Sequence, residues 1–125
     1  MKIKGIVWVG TATDEYDEMV GFFRDTLGFS TYHEGDSLSI LRLESGEWVE
    51  VFGPQDPHFA EFDTGPVVEF LVDDLDEARA ELEGKGVEFL TENHGWGDYR
   101  WSHFRGPDGN VYGITTGPYT SGDGA

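Results

Sequence analysis

Apolar positions along the chain change period several times, and each change marks an element. Ile3 to Val9 is rich in Ile, Val and Trp, the composition of a strand. Thr13 or Asp14 then stands as an N-cap. Tyr16, Met19, Val20, Phe23 and Leu27 follow on one helical face, and Gly28 sits where a glycine closes a helix. Phe29 to His33 reads as a short strand ended by Glu34-Gly35-Asp36. Ser37 to Leu43 alternates as a strand does, Ser45-Gly46 turns the chain, and Glu47 to Phe52 is strand again. Residues 53–65 carry Pro54 and Pro57 among glycines and acids and read as a linker.

The pattern then restarts. Val67 to Val72 is strand-like. Asp74 with Glu77 makes a capping box for a helix through about Glu83, with Leu75, Ala78 and Leu82 as its apolar stripe. Val87 to Leu90 and Asp98 to Arg105 read as strands. Gly106-Pro107-Asp108-Gly109-Asn110 is a turn, Val111 to Thr115 the last strand, and Gly117 to Ala125 a frayed tail. Thr13 aligns with Val72, Glu18 with Glu77 and Phe23 with Leu82, each 59 residues on. This is an internal repeat of strand–helix–strand–strand–strand. A helix covers only one face of such a sheet, so two units must share the other face. The expected architecture is α+β: two βαβββ modules pairing curved mixed sheets around a central cleft. Residues 1–125 form one domain, with module one at about 3–52, the linker at 53–65 and module two at about 66–116.

Charge narrows the partners. The 125 residues hold 25 Asp and Glu against 8 Lys and Arg, a formal net charge of −17. Such a chain repels phosphate backbones and anionic membranes, so neither nucleic acid nor membrane is an expected partner. An acidic surface keeps a protein soluble, and the same field attracts small cations. There is no cysteine, which excludes a disulfide framework, a thiolate metal site and a cysteine nucleophile. No apolar run reaches the length of a membrane helix and no signal-peptide pattern opens the chain, so the expected location is the cytoplasm.

Three stretches resemble one family. Phe22-Phe23-Arg24-Asp25-Thr26-Leu27-Gly28-Phe29, Val72-Asp73-Asp74-Leu75-Asp76-Glu77-Ala78 and Phe104-Arg105-Gly106-Pro107-Asp108-Gly109-Asn110-Val111-Tyr112 occur in order across about residues 3–116. Together they resemble the vicinal oxygen chelate superfamily, which includes glyoxalase I, bleomycin-resistance proteins, fosfomycin-resistance enzymes and extradiol dioxygenases. The resemblance implies paired βαβββ modules, a cleft inside the curved sheet and commonly a homodimer. Members divide into metalloenzymes and metal-free binders.

In the enzymes of that superfamily, His, Glu or Gln on the first and last strands of each module bind the metal. The matching positions here are Trp8, Glu50, Val67 and Gly113. One carboxylate among an indole, an isopropyl group and a hydrogen does not make a catalytic metal site, so no cofactor is expected. Strand alternation then fills the cleft. Trp48 and Phe52 accompany Glu50, Ile6 and Gly10 accompany Trp8, Glu69 and Leu71 accompany Val67, and Val111 and Thr115 accompany Gly113. Val7, Val9, Val49, Val51, Val68, Phe70, Val72, Tyr112 and Ile114 face the helices. Trp96, between Gly95 and Gly97, is either a lid or a hydrophobic plug. Trp101 and His103, on the strand Tyr99 to Arg105, complete the candidate cleft set. His58 and His94 fall in loops, where solvation is expected, and Arg42, Arg100 or Arg105 are candidate partners for the inward glutamates.

The leading expectation is a metal-independent binder of a small, aromatic or cationic organic molecule, similar to bleomycin-resistance proteins. Aromatic walls with inward carboxylates suit such a ligand. Two alternatives stay open. One is a divalent-metal enzyme of glyoxalase, lyase or dioxygenase type with shifted ligands such as Glu50, Glu69 and His103. The other is a metal-free enzyme with a cleft glutamate as base.

Overall fold

The computed structural model describes residues 1–119. The chain runs β1 (Gly5–Ala12), α1 (Tyr16–Gly21), β2 (Ser30–Glu34), β3 (Leu38–Arg42), β4 (Trp48–Phe52), α2 (His58–Glu61), β5 (Val67–Leu71), α3 (Leu75–Gly84), β6 (His94–Trp96), β7 (Tyr99–Arg105) and β8 (Val111–Thr116). The strands form one mixed sheet in the order β2-β3-β4-β1-β5-β8-β7-β6, curled into a half-barrel. Within each half the first strand lies parallel to the last, β1 beside β4 and β5 beside β8. The halves join edge to edge where β1 runs antiparallel to β5. Among the described residues no helix is long and apolar enough to cross a membrane.

Helices α1 and α3 each cover one face of their own module. Tyr16 and Val20 of α1 pack on Leu41 and Val51. Leu75 and Ala78 of α3 pack on Val72 and Ile114. After α1 the helix widens over Phe22–Thr26 into π-type bonding, with Leu27 N donating to Phe22 O at 3.0 Å, and it ends at Gly28 with φ +79°. Asp74 caps α3, its side chain accepting from Glu77 N at 2.9 Å. Asp74→Ala is expected to cost about 1 kcal/mol of stability. A urea titration that shows no change would mean the cap is replaced by water.

The opposite face of the sheet carries a different core. Val7, Trp8, Trp48, Phe52, Phe62, Val67, Val111 and Tyr119 form one buried cluster there. Alternation along β1 departs from the sequence expectation. A bulge lies between Ile6 and Trp8, so Ile6 pairs with Phe70 and Trp8 with Glu69. Two residues then oppose one, which breaks the period of two. Ile6, expected inward, is 56% exposed, and Val7, expected under a helix, joins the cluster beside Trp8.

Three further expectations need correction. The linker contains the short helix α2. Val87 to Leu90 is not a strand; it is held by Val87 N donating to Leu82 O at 3.0 Å, by the bridge Phe89–Phe104 and by Leu90 N donating to His103 O at 2.9 Å. The edge strand is instead β6, in the loop around Trp96, paired antiparallel with β7. The expected frayed tail is packed at Tyr119, which is buried and shares a hydrogen bond of 2.9 Å with Thr115 Oγ1. The rest of that expectation, 120–125, lies outside the described residues.

Candidate functional site

The half-barrel encloses a cleft of about 730 Å3. Trp8, Trp48, Glu50, Phe52, Glu69, Trp96, Trp101 and His103 of the expected set line it. Val67 is fully buried in the cluster beneath, and Gly113 lies under the pair that Glu69 and His103 form. The register explains why these residues meet. Trp48 pairs with Trp8, Trp8 with Glu69, Glu69 with Gly113 and Gly113 with His103, a single row across five strands. Neighbouring residues in a row point to the same face.

Glu50 stands two residues along β4 from Trp48, on the same face and opposite Gly10. Its Oε2 accepts from Trp8 Nε1 at 2.8 Å. To make that bond the indole folds along its own strand over Gly10, where a β-carbon would stand 2.1 Å from Trp8 Cη2. Burial drives the Glu50 carboxyl up to about 7; the indole N–H opposes this, and Glu69 and Asp56 add to it. A neutral indole is a poor counterpart for a charged carboxylate. The arginines expected as partners lie elsewhere. Arg42 sits 5.2 Å over each of the Tyr32 and Trp48 rings, Arg100 pairs with Asp76 at 3.2 Å and Arg105 with Asp63 at 3.3 Å.

Glu69 and His103 are a buried pair, 2% and 1% exposed, with Glu69 Oε2 2.6 Å from His103 Nε2. Burial raises the Glu69 pKa against the opposing pull of His103. Burial alone would lower His103, but Glu61 and Glu69 outweigh it and carry it up to about 9. Both shifts run toward retaining a proton, the direction expected of a buried acid and base that share one. The other ring nitrogen, Nδ1, stands 3.3 Å from Glu61 Oε1. That contact is out of line for a hydrogen bond, and both atoms are buried without a partner. The indole N–H of Trp48 is buried unpartnered as well.

His58 and His94 are not simply solvated. The His58 ring lies 5.2 Å from Phe52 and 5.3 Å from Phe62 and lines the cleft. His94 is half-buried on β6, its ring 6.1 Å from that of His58. Trp96 is 57% exposed at the mouth and stacks on Tyr99 at 6.2 Å, so it is not a plug. Sequence reasoning missed Asp56, Glu61, Phe62, Tyr99 and Tyr119 as cleft surroundings. The spacing His58-Phe59-Ala60-Glu61 offered one signal, because residues three apart share a helix face.

This fold and cleft define a class. The family model "Glyoxalase/Bleomycin resistance protein/Dioxygenase superfamily" matches residues 5–114. The chain belongs to that superfamily. No curated protein matches the sequence. Among solved structures, a methylmalonyl-CoA epimerase in complex with methylmalonyl-CoA and NH4+ is 20% identical, with TM-score 0.72 over 95% of this chain and 98% of that one. The methylmalonyl-CoA epimerase from Mycobacterium tuberculosis is 23% identical, with TM-score 0.73 over 91% of this chain and 88% of that one. The Mn(II)-bound glyoxalase from Novosphingobium aromaticivorans is 16% identical, with TM-score 0.73 over 92% of this chain and 39% of that one. At these identities the likeness is one of fold.

The superfamily implies a divalent metal on its first and last strands, and the residues at those positions do not fit one. Trp8 fills its place with an indole bonded to Glu50, Val67 is buried hydrocarbon and Gly113 has no side chain. Glu50 is the single donor of the four, where a divalent ion takes three or four protein ligands.

Proposed function

We propose that the protein binds a small organic cation with a flat aromatic body in the half-barrel cleft, with no metal at the four strand positions. The observation that carries this reading is Glu50, a largely buried carboxylate bonded to an uncharged indole and walled by aromatic rings. Such a carboxylate lowers its free energy by taking a cation, and the surrounding rings offer their faces to the same charge. Arg42 already exploits this at one end of the cleft, over Tyr32 and Trp48. The unpartnered Trp48 N–H adds a hydrogen-bond donor for a polar atom on the ligand.

The test compares two probes of nearly equal shape, N-methylquinolinium and quinoline, by quenching of tryptophan fluorescence. It is run with chelator present at about pH 8, where Glu50 is mostly ionised. The cation is expected to bind about tenfold more tightly, the equivalent of roughly 1.4 kcal/mol. Equal affinity for the two probes, or a preference for quinoline, would refute the cationic reading. Quenching by neither would refute the cleft as a site for flat aromatic molecules.

Trp8 and Trp48 are poor positions for alanine in this test. Each is buried in the central cluster, and truncation there costs about 3–5 kcal/mol. The sequence places them in the cleft; their burial makes them structural as well. Trp48→Tyr keeps a ring while removing the indole N–H and is the better probe.

A further inference from the structure

We propose that His58, Glu61, His94 and His103 form a site for a divalent first-row transition ion such as Zn2+ or Co2+, away from the four strand positions of the superfamily. The residues come from α2, β6 and β7, whereas Glu50 and Trp48 stand on β4. The inference is independent of the organic ligand, whose test is run in chelator.

Three observations converge. The first is the pair of stranded atoms. Glu61 Oε1 and His103 Nδ1 are buried, lack hydrogen-bond partners and lie 3.3 Å apart. The Glu61 oxygen bears lone pairs, and His103 Nδ1 bears one once an incoming metal has displaced its proton. A cation between them would satisfy both at once.

The second is the surroundings of each imidazole. A ligating histidine needs one nitrogen free and the other held by a partner that fixes the tautomer. Glu69 Oε2 lies 2.6 Å from His103 Nε2 and leaves Nδ1 free. Asp56 Oδ1 lies 3.3 Å from His58 Nδ1 and leaves Nε2 free. Thr91 Oγ1 lies 3.0 Å from His94 Nε2 and leaves Nδ1 free. The buried Glu69 thereby gains a purpose, as the carboxylate behind a ligating ring.

The third is the clustering of the three imidazoles. The rings of His58 and His103 are 6.2 Å apart and those of His58 and His94 6.1 Å. Among the described residues no three such side chains already stand at coordinating spacing. Binding therefore requires the side chains to turn inward, and His58 and Glu61, three apart on α2, share a helix face and are both only partly buried. Two or three imidazoles with a carboxylate suit Zn2+, Co2+ or Ni2+ rather than Mg2+ or Ca2+.

The experiment uses the whole protein, stripped of metal and kept in excess Mg2+ to occupy the acidic surface. Zn2+ is titrated by calorimetry, and Co2+ by its visible absorption, which reports nitrogen and carboxylate coordination. One ion per chain is expected, with Co2+ bands in the visible. His58→Ala and Glu61→Gln are each expected to weaken binding at least about tenfold, since loss of even an outer partner does so. Both positions are partly exposed, and circular dichroism verifies their folding. Glu44→Gln, an exposed acid on the turn after β3, is expected to leave affinity unchanged. Loss in Glu50→Gln with retention in His58→Ala and Glu61→Gln would overturn the proposal in favour of the strand positions. Binding equal in all variants, or none tighter than millimolar, would overturn it as well.

Discussion

Gly113→Ala is expected to destabilise the protein by about 3 kcal/mol, although alanine is the smallest possible change and the backbone there is not left-handed. A β-carbon at this position would stand 2.7 Å from His103 Cδ2, 2.8 Å from Glu69 Cγ and 3.0 Å from Ser102 O. Two of these atoms belong to the buried pair and the third is backbone of β7, so nothing nearby is free to swing away. Crowding a packed interior costs roughly 1–3 kcal/mol. Separating a buried ion pair costs roughly 3–5 kcal/mol, because a charge is left without its counterpart. A partial displacement places the sum near the middle of these ranges. Urea unfolding of the variant and the parent gives the value directly. A loss under about 0.5 kcal/mol would mean that the sheet yields by a few tenths of an ångström and that Gly113 is not needed as clearance.

This glycine shows where a sequence stops informing. In the chain it reads as a missing metal ligand, one of four strand positions shared with the superfamily. In the fold it is the gap through which Glu69, on β5, reaches His103, on β7, across the strand between them. The β5–β8–β7 order repeats the β1–β4–β3 order of the first half. The partnership itself does not follow, since the two residues are 34 positions apart and each alone has other candidate partners. The arginines failed as partners for a related reason. Arg42, Arg100 and Arg105 all reach the surface, where Tyr32, Asp76 and Asp63 take them without the cost of burying a guanidinium.

Helices α1 and α3 and seven of the strands were legible because each carries a period, a cap or a closing glycine. Two elements were not. The strand β6 has three residues and α2 has four, too few for either period to register. One carries His94 and the other His58, which lines the cleft, and this is why both histidines read as loop residues. The bulge in β1 defeats alternation locally, since a single extra residue moves Ile6 outward and Val7 inward. The acids and aromatics of the central row survive the bulge because Trp8 remains opposite Glu69.

Glu50→Gln is expected to raise stability above about pH 7 while removing the cleft's preference for a cation. Burial holds the Glu50 carboxyl at about 7 rather than 4.5, so the folded chain keeps a proton that the unfolded chain has released. Rising pH then favours the unfolded state between those two values. The stabilising contribution of the protonated carboxyl is complete below pH 4.5 and is lost as pH passes about 7. The whole difference amounts to at most roughly 3 kcal/mol. Glutamine carries no charge to bury, and its carbonyl oxygen still accepts from the Trp8 indole. Thermal melts of variant and parent should therefore coincide near pH 4.5 and diverge as pH rises, the variant melting higher. Taking the difference between the two proteins cancels the repulsion of the −17 surface, which acts on both. In the same variant N-methylquinolinium should lose its advantage over quinoline. A variant that melts no higher than its parent at alkaline pH would mean that Glu50 is already solvated or paired when ionised. The carboxylate would then be no reservoir of unpaired charge, and the cation reading of the cleft would lose its main support. A variant that melts higher yet still prefers the cation would separate the two roles, leaving Glu50 as a buried acid and the aromatic faces alone as the site of attraction.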